Sequence, residues 1–173
     1  FYKRVYKKMI NIVQVDKSRV SILIISLSTP IKIGIYDKNN LLIREIESFE
    51  KSSQSIPMIF QKLLKEFYID NICYTDGPGS FMSTKVVYLF ITTLSKVFNI
   101  KLYSTLGFQF NNNSPIKALG KKYFIRDKNS NNIIIDSLEN YNLELLDFKL
   151  PDSFNKELFS EDIEPKYMIK AIH

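Results

Sequence analysis

Between Val20 and Leu27 the chain reads VSILIISL, with apolar side chains at nearly every position rather than at every second one. Such a run fits a strand in the middle of a sheet, covered on both faces. The next segment, IKIGIYD (31–37), alternates apolar and polar positions, KNN makes a tight turn, and LLIREIES (41–48) follows. Three consecutive antiparallel strands are the economical reading. The period then changes. Ile56, Ile59, Phe60, Leu63, Leu64 and Phe67 are spaced as one stripe of a helix that Ser52 or Ser53 would cap and that runs to about Tyr68. Pro57 fits only a first turn, which supports that start. NICYT (71–75) predicts a fourth strand, Gly77-Pro78-Gly79-Ser80 a turn, Phe81–Phe98 a second helix, and IKLYS (100–104) a fifth strand. Beyond NNNSP (111–115), read as a loop between lobes, KYFIRD, NIIIDS and LELLDFKLP read as three more strands separated by polar turns.

Composition changes this picture little. At 173 residues, 45% hydrophobic and 24% charged, the chain suits one compact domain, or one with a small second lobe. A net charge of +6 admits nucleic acid or another anionic partner. However, 24 Ile and 14 Asn against 2 Ala point to an A/T-rich coding bias that raises Lys in step, and we favour that reading. Cys73 is the only cysteine, so there is no internal disulfide, and a reducing compartment fits. His173 is the only histidine, which removes the usual parts of zinc sites and His-based acid–base machinery. The longest apolar stretch, Phe81 to Ile100, is broken by Lys85 and Lys96, so no segment is expected to span a membrane. The basic start followed by Val20–Leu27 imitates a signal peptide without its cleavage site, and a buried strand explains it better.

The strand–turn–helix around Gly77 is where chemistry is expected, if anywhere. Two glycines allow backbone angles closed to other residues, Pro78 stiffens the corner, and Ser80 can cap the helix behind it. Free N–H groups at that helix start can hold a phosphate, but the turn lacks the Gly-Lys-Ser/Thr ending of a Walker loop and the Rossmann spacing. A structural corner is the favoured reading. Asp37 and Asp76 stand at strand ends, where an Asp usually serves the turn. On the second helix, Met82, Val86, Val87, Leu89, Phe90, Ile91, Leu94, Val97 and Phe98 cover an arc of about 200 degrees. Lys85, Thr92, Lys96, Ser95 and Thr84 occupy the rest. Such a width serves either a helix buried between sheet and neighbour or one that keeps part of its arc for a partner.

With this order of elements, the unbroken segment Gly77-Pro78-Gly79-Ser80-Phe81 resembles the bacterial TsaB family (also called YeaZ), whose hallmark is a GPGSFTGLRIG-like opening of a helix. Lys85 stands where that family has Arg, and Met82, Ser83, Thr84, Val86 and Val87 depart from its pattern. The family's first strand ends in Asp-Thr-Ser; here the corner reads Ser26-Leu27-Ser28-Thr29-Pro30, hydroxylic but without the Asp. A His-Ser-Glu helix opening is replaced by Lys51-Ser52-Ser53, with Pro57 kept. Pro165 and Tyr167 resemble a terminal Pro-x-Tyr-Leu-Arg. The resemblance spans about residues 20–110 plus that tail.

The resemblance implies an α/β fold of the actin-like, sugar-kinase-like ATPase superfold, with a ribonuclease H-like core. Residues 1–18 would be an N-terminal extension of unknown role, 19–110 the N-terminal lobe and 111–173 a reduced C-terminal lobe. It further implies a non-catalytic paralogue of TsaD, acting as a scaffold in forming threonylcarbamoyladenosine at position 37 of tRNA, with no cofactor, no metal site and a cytoplasmic location. TsaD would transfer the threonylcarbamoyl group and TsaE supply an ATPase, with tRNA met indirectly. The partner surface would lie on the first two helices, at Met58, Lys85, Leu89 and Ile91, and would hold a TsaD homologue, or a second copy of this chain when alone. Ser26 in place of the Asp removes the expected metal–nucleotide anchor. The rivals are a self-sufficient nucleotide-binding enzyme of the same fold and a basic nucleic-acid-binding module. The second would need clustered Lys and Arg with exposed aromatics, whereas the Lys are scattered beyond the first eight residues.

Overall fold

The computed structural model describes residues 17–127 and 129–168. His173 and all of the N-terminal extension but Lys17 and Ser18 lie outside them. The chain is a mixed α/β structure built on a five-stranded sheet and two helices. In chain order these are β1 (Arg19–Ile25), β2 (Ile31–Tyr36), β3 (Leu42–Ser48), α1 (Ser52–Glu66), β4 (Tyr68–Gly77), α2 (Phe81–Phe98) and β5 (Lys101–Leu106). The sheet order is β3-β2-β1-β4-β5. β1 pairs antiparallel with β2 and β2 with β3, whereas β1–β4 and β4–β5 are parallel.

β1 is apolar at every position from Ile22 to Ile25 because both faces of the strand are covered there. Val20, Ile22 and Ile24 point into a core shared with Ile33, Ile35, Ile72, Phe60 and Leu63 of the neighbouring strands and α1, and with Val87 and Ile91 of α2. Leu23, Ile25 and Leu27 point the other way, into a second core with Tyr36, Cys73, Phe108, Phe124, Phe148 and Phe154. The period-two geometry of a strand makes this division automatic. On β2, Gly34 leaves room for the ring of Tyr36, whose Cε2 would lie 2.7 Å from a Cβ placed there.

The stripe expected on α1 is the buried one, with Ile56, Phe60 and Leu63 inside. Its cap differs from expectation: Lys51 occupies the N-cap and no side chain caps the helix. Pro57 also lies deeper than the first turn. It is the sixth residue of α1, so Ser53 C=O has no N–H one turn on to accept. By length and composition α2 would pass as a membrane span, despite Lys85 and Lys96. It instead joins two neighbouring strands of one sheet and buries Thr84, Val87 and Ile91 against them. It ends at Asn99 with φ 54°, a left-handed cap that Asn tolerates.

The remaining chain forms a three-stranded antiparallel sheet of β6 (Ile116–Lys117), β7 (Lys122–Arg126) and β8 (Ile133–Ser137). KYFIRD and NIIIDS are therefore strands, but LELLDFKLP (143–151) is not. Among the described residues it has no ladder partner and is tied by Leu146 N–H to Ser114 Oγ (2.8 Å) and by Lys149 N–H to Phe110 C=O (2.8 Å). Its leucines Leu143, Leu145 and Leu146 are exposed, and only Phe148 is buried.

Candidate functional site

Three backbone segments meet at the carboxyl end of β4, and their closeness dictates the residues there. Gly77 has φ 142° and Gly79 φ 156°. A Cβ on Gly77 would stand 2.6 Å from Lys166 C=O, and one on Gly79 would stand 2.6 Å from Leu27 Cβ and 2.9 Å from Leu27 C=O. Ser80 N–H donates to that same Leu27 carbonyl at 3.0 Å. The Gly77–Pro78 peptide is cis. Ser80 is the N-cap of α2: its Oγ accepts from Ser83 N–H at 3.4 Å, and Thr84 Oγ1 donates back to Ser80 C=O at 2.9 Å. The corner is set by backbone approach on two sides.

Asp76, one residue earlier, is wholly buried. Its Oδ2 lies 3.1 Å from Lys166 Nζ and 2.8 Å from Ser104 Oγ, while Oδ1 has no hydrogen-bond partner among the described residues. Ser104 Oγ is also 2.7 Å from Asp162 C=O, so its single proton serves one of two acceptors at a time. The main chain of Lys166 donates to Asp76 C=O at 2.8 Å. Asp76 thus ties Lys166 directly, and Asp162 through Ser104, to the sheet, a long-range tie that its place before a turn does not announce. The sequence gives a hint only in Lys166, which sits between Pro165 and Tyr167. The Tyr167 ring packs against that of Phe81 at a tilt of 45°, with ring centroids 4.4 Å apart. Asp37 does what a turn Asp does: its Oδ1 accepts from Asn39 N–H (2.8 Å) and Leu41 N–H (2.9 Å).

The residues expected to meet a partner separate into two groups. Met58 on α1 is 62% exposed and Leu89 on α2 54%, and Met82, at 64%, lies two turns before Leu89 on the same stripe. Lys85 is exposed, with Nζ 6.0 Å above the Phe81 ring. Ile91 is a correction. It is fully buried in the core against the sheet, so it presents nothing to a partner. The buried edge of the wide arc faces the sheet and its other edge faces solvent. Thr84, on the polar side of the helix, is buried as well, with its hydroxyl donating back to Ser80 C=O.

A larger opening lies beside the glycine corner. A cleft of about 450 Å3 is walled by Ser26 and the 28–29 loop after β1, by residues 50–53 at the start of α1, and by Ser80, Met82 and Ser83 at the start of α2. Ser26 is fully buried, and its Oγ and that of Ser83 have no hydrogen-bond partner among the described residues. Among those residues no group of three His, Cys, Asp or Glu side chains is arranged to hold a metal.

Sheet order, two helices and a cleft at the strands' carboxyl ends define the class: a mixed α/β domain that offers both an apolar helix face and a polar opening. In particular, it is similar to YeaZ from Pseudomonas aeruginosa, with a TM-score of 0.49 and 11% identity over 74% of this chain and 66% of that one. It is also similar to an uncharacterized protein described by its likeness to peptidase YEAZ from Pseudomonas aeruginosa, with a TM-score of 0.46 and 10% identity over 69% and 64% of the two chains. The chain thus spans just under two thirds of the length of each. No family model matches the sequence, and no curated protein matches it.

Proposed function

We propose that this chain is a non-catalytic scaffold of TsaB type, built on the N-terminal lobe of an actin-like fold, that binds and supports a TsaD homologue in threonylcarbamoylation of tRNA. The observation that carries the reading is the Gly-Pro-Gly-Ser-Phe corner in its place. It follows β4, opens α2, and is constrained at both glycines by backbone rather than by a ligand. Beside it, Met58, Met82 and Leu89 leave apolar surface uncovered on the two helices from which docking is expected. Large exposed apolar side chains grouped on neighbouring elements are a common mark of an interface. Catalytic groups are not drawn from this corner: Asp76 is occupied by Lys166 and Ser104, and Ser26 stands where a metal-binding Asp would be wanted.

The test is co-purification with a TsaD homologue, with tRNA modification assayed in the presence and absence of this chain. Leu89→Asp and Met58→Asp, both at exposed positions, are expected to keep the circular dichroism spectrum of the parent and at least one to lose the TsaD homologue in a pull-down. Folded variants that all bind with parental affinity would put the docking surface elsewhere. Turnover of ATP by the purified chain, abolished in an Asp37 or Asp76 variant, would overturn the scaffold reading.

A further inference from the structure

We propose that the cleft beyond the amino ends of β1, β4 and β5 binds a short single-stranded run of nucleic acid, with Arg19, Lys101 and Lys156 meeting its phosphates and Tyr68 and Phe98 its bases. The inference does not rest on the scaffold reading, because it concerns the end of the sheet opposite the glycine corner and needs no second protein.

Basic residues that are scattered along the sequence are gathered here by the fold. β1, β4 and β5 run parallel, and their register sets Arg19 beside Tyr68 and Lys101 beside Asn71. Phe98 reaches the same place because α2 ends there, where the left-handed Asn99 turns the chain back into β5. Lys156 arrives with the late return of the chain. Together these residues wall an opening of about 580 Å3. Three cations line it against one carboxylate among the described residues, that of Asp70, which leaves a net charge of +2. Asp70 is paired with Arg19, but their side chains are 41% and 71% exposed. An exposed pair contributes little, so Arg19 can exchange that carboxylate for a phosphate.

The aromatic residues select among anionic partners. Tyr68 is 56% exposed and Phe98 54%, and neither ring belongs to either core. Lys17 Nζ stands 5.5 Å from the centroid of the Tyr68 ring and adds a further cation at the rim. Rings interleaved with cations suit a nucleic-acid strand, in which a base stacks on each ring while the neighbouring phosphates meet the charges. An acidic peptide would use the cations and leave the rings idle, and a bilayer surface cannot enter a cleft. The bases must be unpaired to offer their faces to the rings, so the strand is single. Three neighbouring strands span about 10 Å, the length of about three stacked nucleotides at about 3.4 Å each.

The experiment is an anisotropy titration of a labelled oligouridine of about a dozen nucleotides with the purified full chain, at about 50 and 200 mM chloride. Saturable binding that weakens with salt is expected. Lys101→Glu and Lys156→Glu should each weaken it about tenfold and lower the slope of log affinity against log salt by about 0.7. Phe98→Ala should weaken it about tenfold with the slope unchanged, and Phe98→Trp should restore it. These positions are exposed, so each variant should keep the circular dichroism spectrum of the parent, which separates loss of the strand from loss of the fold. Absence of saturable binding, parental affinity in the Lys101→Glu/Lys156→Glu double variant, or parental affinity in Phe98→Ala would each overturn the site. So would competition by polyglutamate or by anionic lipid vesicles as effective as that by unlabelled oligouridine, since either would assign the cleft to another kind of partner.

Discussion

At the scale of single residues, the glycine corner and Cys73 make the firmest statements. A side chain at Gly77 or Gly79 meets both a positive φ and backbone atoms closer than 3 Å. Strain and overpacking each cost about 1–3 kcal/mol. Gly79→Val should therefore lower stability in urea denaturation by about 3 kcal/mol or more, and Gly77→Val likewise. Ser80→Ala should cost about 0.5–1 kcal/mol, since the cap it removes is long. Gly variants that melt with the parent would show that the corner serves a partner instead. Burial holds the Cys73 thiol well above its ordinary pKa, and the side chain is wholly enclosed. A thiolate reagent should leave it unmodified in the native protein and label it at the rate of unfolding. The two glycines and the buried cysteine were legible in the sequence, because torsional freedom and apolar context are local. The ion pair of Asp76 with Lys166 was not, since it joins residues 90 positions apart in sequence and depends on where the chain returns.

At the scale of elements, period told strand from helix wherever one face was buried. β1 to β5, α1 and α2 lie where alternation and the helical stripe put them. Errors came where periodicity cannot say which neighbour covers a face. On α2 the wide apolar arc gave no sign that Ile91 faces the sheet while Leu89 faces solvent. The segment LELLDFKLP has strand-forming composition but no partner edge, and Ser114 takes its backbone bonds instead. These two faces of α2 predict opposite outcomes. Ile91→Asp should abolish the cooperative thermal transition, because an unpaired charge in the core costs several kcal/mol against a total of about 5–15. Leu89→Asp should shift that transition by less than about 1 kcal/mol, as surface changes do.

For the molecule as a whole, the long return of the chain after residue 140 is held by tyrosines. Tyr36 Oη donates to Pro151 C=O at 2.9 Å, and Tyr74 Oη donates to Ile163 C=O. Burial raises the pKa of both, for Tyr36 with help from the charge of Glu45 and for Tyr74 from that of Asp76. The unfolded chain ionises its tyrosines near pH 10, whereas the folded one keeps these protons. The folded state therefore binds more protons above that pH, and stability should be full below it and fall on the alkaline side by roughly 1 kcal/mol per pH unit per tyrosine. Tyr74→Phe should remove part of that slope and cost about 1 kcal/mol at neutral pH. A urea series from pH 7 to 11, flat in both proteins, would refute the assignment. The return path has a temporal consequence as well. Ser160 exchanges two backbone bonds with Ser104, closing the outer edge of β5. During synthesis residue 160 leaves the ribosome several seconds after β5, at about 5–20 residues per second. For that interval the nascent sheet has an open hydrogen-bonding margin, and a chaperone or a second nascent chain can occupy it before the protein's own tail arrives.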